Sequence, residues 1–230
     1  ALRSHAQHVC SVFERYESDL PLDRATFGAS HGAWFDDIQL AISATFSTLR
    51  DPGLGLRLLA ATAPVWYEQS LLNEYQTWAE LALKEAGDLE QTDVTLMRFW
   101  HALGHCYVHT KGPHPDVERA FGRTYELAQR LRNVDIERMA LWGLWVERYG
   151  SGDYAAALNL ARERAELTPA GTEPAAAILT RRMMQWSLHL MGQQESSLEE
   201  AYVALDLTGR IDNHSSLGRY QLDPRAATDA

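Results

Sequence analysis

Three histidines carry the most suggestive chemistry in this chain. His101, His105 and His109 stand four residues apart, so on a helix they form one stripe that drifts by about 40° per step. Neutral imidazoles at that spacing can hold zinc, copper or nickel. His114 follows shortly after and Cys106 lies one residue off the stripe, but no second Cys or His pair has matching spacing. A closed structural site needs four ligands, so no metal or cofactor is assigned. Two alternatives remain open for the stripe: a ligand-contacting surface, or incidental histidines on a half-exposed helix.

Other catalytic signatures are missing. There is no Gly-x-x-x-x-Gly-Lys-Ser/Thr run, no Gly-x-Gly-x-x-Gly, no His-Glu-x-x-His and no Gly-x-Ser-x-Gly. Carboxylates such as Glu14, Glu17 and Asp19 have the spacing of a solvated helix face. The expectation is a protein without a catalytic centre, with a metal-dependent enzyme on a helical scaffold as the remote alternative.

The elements that would position the histidines come from periodicity. Of 230 residues, 46% are hydrophobic, and the 8 Pro and 15 Gly fall mostly between apolar-periodic segments. Such a chain has enough apolar surface for a core and favours helices with short connections. The formal net charge of −10 repels a phosphate backbone and argues against direct nucleic-acid binding. Two cysteines, Cys10 and Cys106, give no disulfide framework. No stretch long enough to cross a membrane and no signal-peptide pattern is present, so a cytoplasmic location is expected. The chain opens at Ala1 already inside a helical pattern, as a piece of a longer protein would.

Leu2, Ala6, Val9, Phe13, Tyr16 and Leu20 form a first stripe at three- and four-residue steps, ended by Pro21. Residues 23–33 read as a loop. Phe35, Ile38, Ile42, Phe46 and Leu49 mark a second helix. Asp51-Pro52 supplies an N-cap and a first-turn proline for a third, which Pro64 should kink or shorten. Leu71, Tyr75, Trp78 and Ala82 mark a fourth, closed by Gly87. Residues 1–93 thus read as about four packed helices.

Residues 94–209 are repetitive as well as amphipathic. Trp100, Leu103, Gly104 and Tyr107 match the tetratricopeptide first-helix pattern Trp-x-x-Leu-Gly-x-x-Tyr. Its second helix, with Ala120, Tyr125 and Ala128, arrives about four residues late because Lys111-Gly112-Pro113-His114-Pro115 lengthens the turn. Gly152-Asp153-Tyr154 is the turn of a second unit, followed by Ala157 and Ala161; Trp145 stands where a small residue is usual. Gly192 marks the turn of a third, 40 residues after Gly152 and longer than the ideal of about 34. Residues 210–230 read as a tail. The expected fold is all-α: antiparallel helix pairs stacked as a right-handed tetratricopeptide-like α-solenoid.

In such stacks the first helices line a concave groove. Counting from Gly104 gives Arg98, His101, His105 and His109. The Gly152 unit gives Met139, Trp142 and Val146, with Tyr149 beyond. The Gly192 unit gives Leu179, Arg182 and Trp186, with His189 beyond. Aromatic faces and two arginines suit a ligand with an apolar face and an anionic group. A register error of one residue would instead make Trp142 and Trp186 core.

Residues 34–83 carry a resemblance. Trp34, Asp36-Asp37-Ile38-Gln39-Leu40-Ala41-Ile42, Gly55-Leu56-Arg57-Leu58-Leu59-Ala60, Trp66-Tyr67 and the run from Trp78 to Leu83 resemble the helical region that follows the nucleotide-binding domain in bacterial STAND-class ATPase regulators. Those with a winged-helix DNA-binding domain are the most similar. Asp37-Ile38-Gln39 replaces the family's usual Asn-Leu-Arg. The resemblance implies a sensor module of a transcriptional regulator that receives an inducer small molecule or a partner protein. It also implies docking on an ATPase domain of the same polypeptide. A generic peptide-binding scaffold is the alternative.

Overall fold

The computed structural model describes residues 1–19, 34–86 and 91–209. The expected loop at 23–33, Gly87 and the tail at 210–230 lie outside the described residues. Ten helices follow one another among the described residues: α1 (Leu2–Asp19), α2 (Phe35–Phe46), α3 (Pro52–Glu68), α4 (Leu72–Ala86), α5 (Asp93–Lys111), α6 (Pro115–Leu131), α7 (Val134–Gly150), α8 (Tyr154–Glu166), α9 (Pro174–Leu190) and α10 (Gln194–Gly209). No strand occurs among these residues.

Local chemistry sets the boundaries. The Asp51 carboxylate accepts from the Leu54 N–H at 3.1 Å, with Pro52 in the first turn of α3. Thr92, Asn133 and Asp153 cap α5, α7 and α8 in the same way. Each such cap satisfies an N–H that the helix leaves without a partner. Gly152 and Gly192 take positive φ (88° and 76°) in the turns after α7 and α9, where a side chain would be strained. Of the two outcomes expected at Pro64, a kink or a shortened helix, the shortening does not occur: α3 runs on to Glu68. Losing one backbone donor is offset by burial, because Leu58, Leu59, Ala61, Val65 and Trp66 around it are all sealed from solvent.

Consecutive helices pack in pairs, and each second helix packs on the first helix of the next pair. First helices also touch one another: α1 meets α3, α3 meets α5, α5 meets α7 and α7 meets α9. Among the described residues, the second helices α6, α8 and α10 have no comparable mutual packing. Helices that approach one another across successive pairs lie on the inner side of a curved stack. The concave side is therefore built by α1, α3, α5, α7 and α9. This is an α-solenoid of stacked helix pairs.

A core of apolar side chains runs from α1 to α7, and a smaller one is formed by Trp145, Ala157, Ala161, Leu179 and Met183. Phe121 joins successive pairs. It is fully buried on α6, and its ring fills the space left by two glycines, Gly104 on α5 and Gly143 on α7. A Cβ at Gly143 would collide with that ring. A helical glycine costs about 1 kcal/mol against alanine; here it lets three helices close on one aromatic ring.

Candidate functional site

Two aromatic clusters lie along the concave side. In the first, Trp142 of α7 stacks on His105 of α5, with ring centroids 5.0 Å apart and planes at 21°. His101 meets His105 edge-on at 4.7 Å. Phe121 closes the cluster from beneath, against His105 and Trp142. Tyr67 of α3 approaches His105 at 6.4 Å and donates its hydroxyl to the Ala102 carbonyl. The Phe121 wedge holds α5 against α7, which is why four-residue spacing on α5 becomes a fixed pair of imidazoles beneath an indole.

Burial sets the charge of this cluster. Desolvation depresses the His101 imidazole to about 4. His105 falls well below the ordinary range, through burial first and then the neighbouring His101 and His109. Both rings are neutral at neutral pH, so each keeps a lone pair able to accept. His101 Nε2 is sealed from solvent and has no hydrogen-bond partner. Among the described residues no third His, Cys, Asp or Glu joins the pair as a metal ligand would.

In the second cluster, Trp145 of α7 stacks on Tyr149 at 4.7 Å and on Trp186 of α9 at 5.8 Å. Its indole N–H donates to Ser187 Oγ at 2.9 Å, which fixes the ring across two first helices. Tyr154 adds an edge contact to Tyr149 at 5.7 Å. Burial, and then Tyr154, raises the Tyr149 hydroxyl above its usual range. The Arg182 guanidinium lies 4.8 Å over the Trp186 ring. Arg182 is only 7% exposed, and its Nη1 is enclosed without an acceptor.

Six of the ten residues singled out by register fall into the two clusters, and four do not. His101, His105 and Trp142 meet in one cluster, and Tyr149, Arg182 and Trp186 in the other. Arg98 and Met139 are partly buried on α5 and α7 and belong to neither ring stack. His109 and His189 are exposed, and His189 Nδ1 lies 2.8 Å from Gln194 Oε1 at the turn. Leu179 is core, not groove: at 2% exposure it packs with Ala157, Ala161 and Met183. Trp142 and Trp186 are neither fully core nor free, each partly buried with one face on packed neighbours.

Register reasoning missed Trp145, Tyr67 and Phe121. Trp145 looks like a misfit in sequence because the repeat expects a small side chain there; the Trp145–Tyr149 spacing of four is the available signal. Tyr67 and Phe121 come from other helices, and nothing local in the sequence ties them to His105.

The fold places this chain with known structures. It is a tetratricopeptide-like α-solenoid. BtubC (BKLC) from P. vanneervenii has 15% sequence identity and a TM-score of 0.60, with 91% of each chain covered. A crystal structure of a Podosopora anserina putative kinesin light chain with nearly identical TPR-like repeats has 11% identity and a TM-score of 0.64, covering 91% of this chain and 95% of that one. At these identities the likeness is one of fold. No protein-family model matches the chain, and no curated protein matches it significantly. No helix among the described residues is long and apolar enough to cross a membrane.

Proposed function

We propose that the concave side is a binding surface and that the chain acts by recognising a partner protein or inducer, without catalysing a reaction. The observation that carries this is the pair of aromatic clusters bridging α5, α7 and α9, each holding a sealed polar atom without a partner, His101 Nε2 and Arg182 Nη1. Buried polar groups are satisfied in the large majority of cases, and an unsatisfied one costs about 1–3 kcal/mol. They lie beside the partly exposed Trp142 and Trp186, whose open edges a partner would cover. Given the resemblance of residues 34–83, we read this surface as part of the cytoplasmic sensor module of a bacterial STAND-class transcriptional regulator. An ATPase domain in the same polypeptide is then a further contact.

Photo-crosslinking tests the surface. A photoreactive amino acid at Trp142 or Trp186 in the native reading frame should give discrete adducts, whereas the same group at Arg123 or Arg162 on the second helices should not. Equal labelling at all four positions, or none, would rule out the concave surface. A second reading, a peptide-binding scaffold with no regulatory domains, is supported by the solenoid fold shared with the kinesin light chain repeats. The complete reading frame separates the two: an ATPase domain upstream of Ala1 favours the regulator.

A further inference from the structure

Three arginines of α7, α8 and α9 are buried, and they differ in how their charge is met. Arg164 donates to the Arg138 and Ala176 carbonyls at 3.1 and 2.9 Å and also to Thr180. Arg138 donates to the Leu167 carbonyl at 3.1 Å and pairs with Asp135. Arg182, at 7% exposure, has neither arrangement. Among the described residues no carboxylate pairs with it; its Nη1 is enclosed without an acceptor, as Arg138 Nε also is, but Arg138 is held by its other nitrogens. Burial alone lowers its basicity, with no opposing anion.

An unpaired buried cation is a standing cost in a folded protein, because desolvation is repaid only by a counter-charge and satisfied hydrogen bonds. The Trp186 face supplies part of that at 4.8 Å through the ring quadrupole, but a ring cannot accept a bidentate fork. A guanidinium held against an indole keeps its N–H edge pre-oriented for a planar or tetrahedral oxyanion. Beside it, Tyr149 and Trp186 are partly exposed rings backed by the buried Trp145.

We propose that Arg182 and Trp186 form an anion subsite at the α9 end of the concave side. It takes a carboxylate or phosphate group attached to a flat apolar moiety that meets the partly exposed edges of Tyr149 and Trp186. The subsite rests on the reading of the concave side as a binding surface and names the chemistry that surface selects. The acidic remainder of the chain, with its net charge of −10, makes the subsite selective, since an anion is repelled elsewhere.

The test follows thermal melting of the wild-type protein with benzoate, phenyl phosphate and neutral benzamide. Benzoate or phenyl phosphate should raise the midpoint saturably, and benzamide should not; the better of the two anions identifies the oxyanion. Arg182→Met should weaken that response at least about tenfold and raise the ligand-free midpoint by a few degrees, because a desolvated charge has been removed. Arg182→Gln, which keeps a polar head without charge, should also lose the response. No anion response in the wild type, or a response retained in both variants, overturns the subsite. So does unfolding of both variants, which would make Arg182 a structural residue. Crosslinking at Trp142 separates this failure from that of the binding surface: adducts there with no anion response remove the subsite alone.

Discussion

At the α5 end of the concave side, Trp142 stacks on an imidazole that burial keeps neutral. At the α9 end, Trp186 carries a guanidinium that cannot give up its charge. The two clusters share a geometry: tryptophans on first helices, a polar group against a ring face, and an atom without a partner. They differ in how the polar group meets desolvation. A histidine adapts by releasing its proton, so its cost is small near neutral pH and grows with acid. Arginine has no neutral form in reach, so its cost is constant and only a ligand relieves it. The packing beneath them differs as well. Phe121 wedges the first cluster between two glycines, while Trp145 holds the second by stacking on Tyr149 and Trp186 and by a hydrogen bond to Ser187.

The largest effect that would expose this difference is at Phe121. Phe121→Ala should lower unfolding free energy by about 3–5 kcal/mol in urea denaturation and loosen His105 and Trp142 while leaving the Trp145–Trp186 contact in place. A loss under about 1 kcal/mol would mean that the wedge does not hold the first cluster. Gly143→Ala should cost about 1–3 kcal/mol by overpacking, read from the same curves, because the new methyl group meets the Phe121 ring.

Of the two clusters, acid should act on the first. The His101 pKa falls from 6.5 in the unfolded chain to about 4 on folding. As pH drops through this window the unfolded chain takes up the proton first, so stability declines from 6.5 downward and levels off below about 4. The slope contributed is up to about 1.4 kcal/mol per pH unit. His105 shifts in the same direction, and the remaining titratable neighbours are His109 and Tyr67. His101→Gln should flatten the acid limb of a stability–pH profile, whereas Arg182→Met should leave its slope unchanged. A smaller effect is expected at Trp145: Trp145→Phe removes the Ser187 hydrogen bond at a cost of roughly 1 kcal/mol and should red-shift Trp186 emission as that ring gains freedom. The smallest is His189→Ala, an exposed change that should stay within about 0.5 kcal/mol by thermal melting.

Much of this architecture was legible in the chain. The Asp51-Pro52 cap, the Gly152 and Gly192 turns and the Trp100–Tyr107 pattern each fix a local backbone choice, and local choices are written in neighbouring residues. Spacing of four likewise put His101 and His105 on one helix face. At Pro64, read as a kink or a shortening, the helix keeps its length because the residues on both sides are buried. Leu179 misled: the register pointed it to the groove, but Ala157 and Ala161 on α8 leave space that a leucine fills.

What the sequence determined by itself is the helical stack, the order of its pairs and which side chains share a helix face. Tertiary structure alone decided which faces meet. His105 and Trp142 lie 37 residues apart (142 − 105) in sequence, and their contact exists because two glycines from different helices let both close on Phe121. Whether a buried arginine finds an acceptor depends on carbonyls and carboxylates from other elements: Arg164 meets them and Arg182, on the concave side over Trp186, does not. Periodicity assigns a side chain to a helix face, but desolvation and pairing are properties of the space between helices.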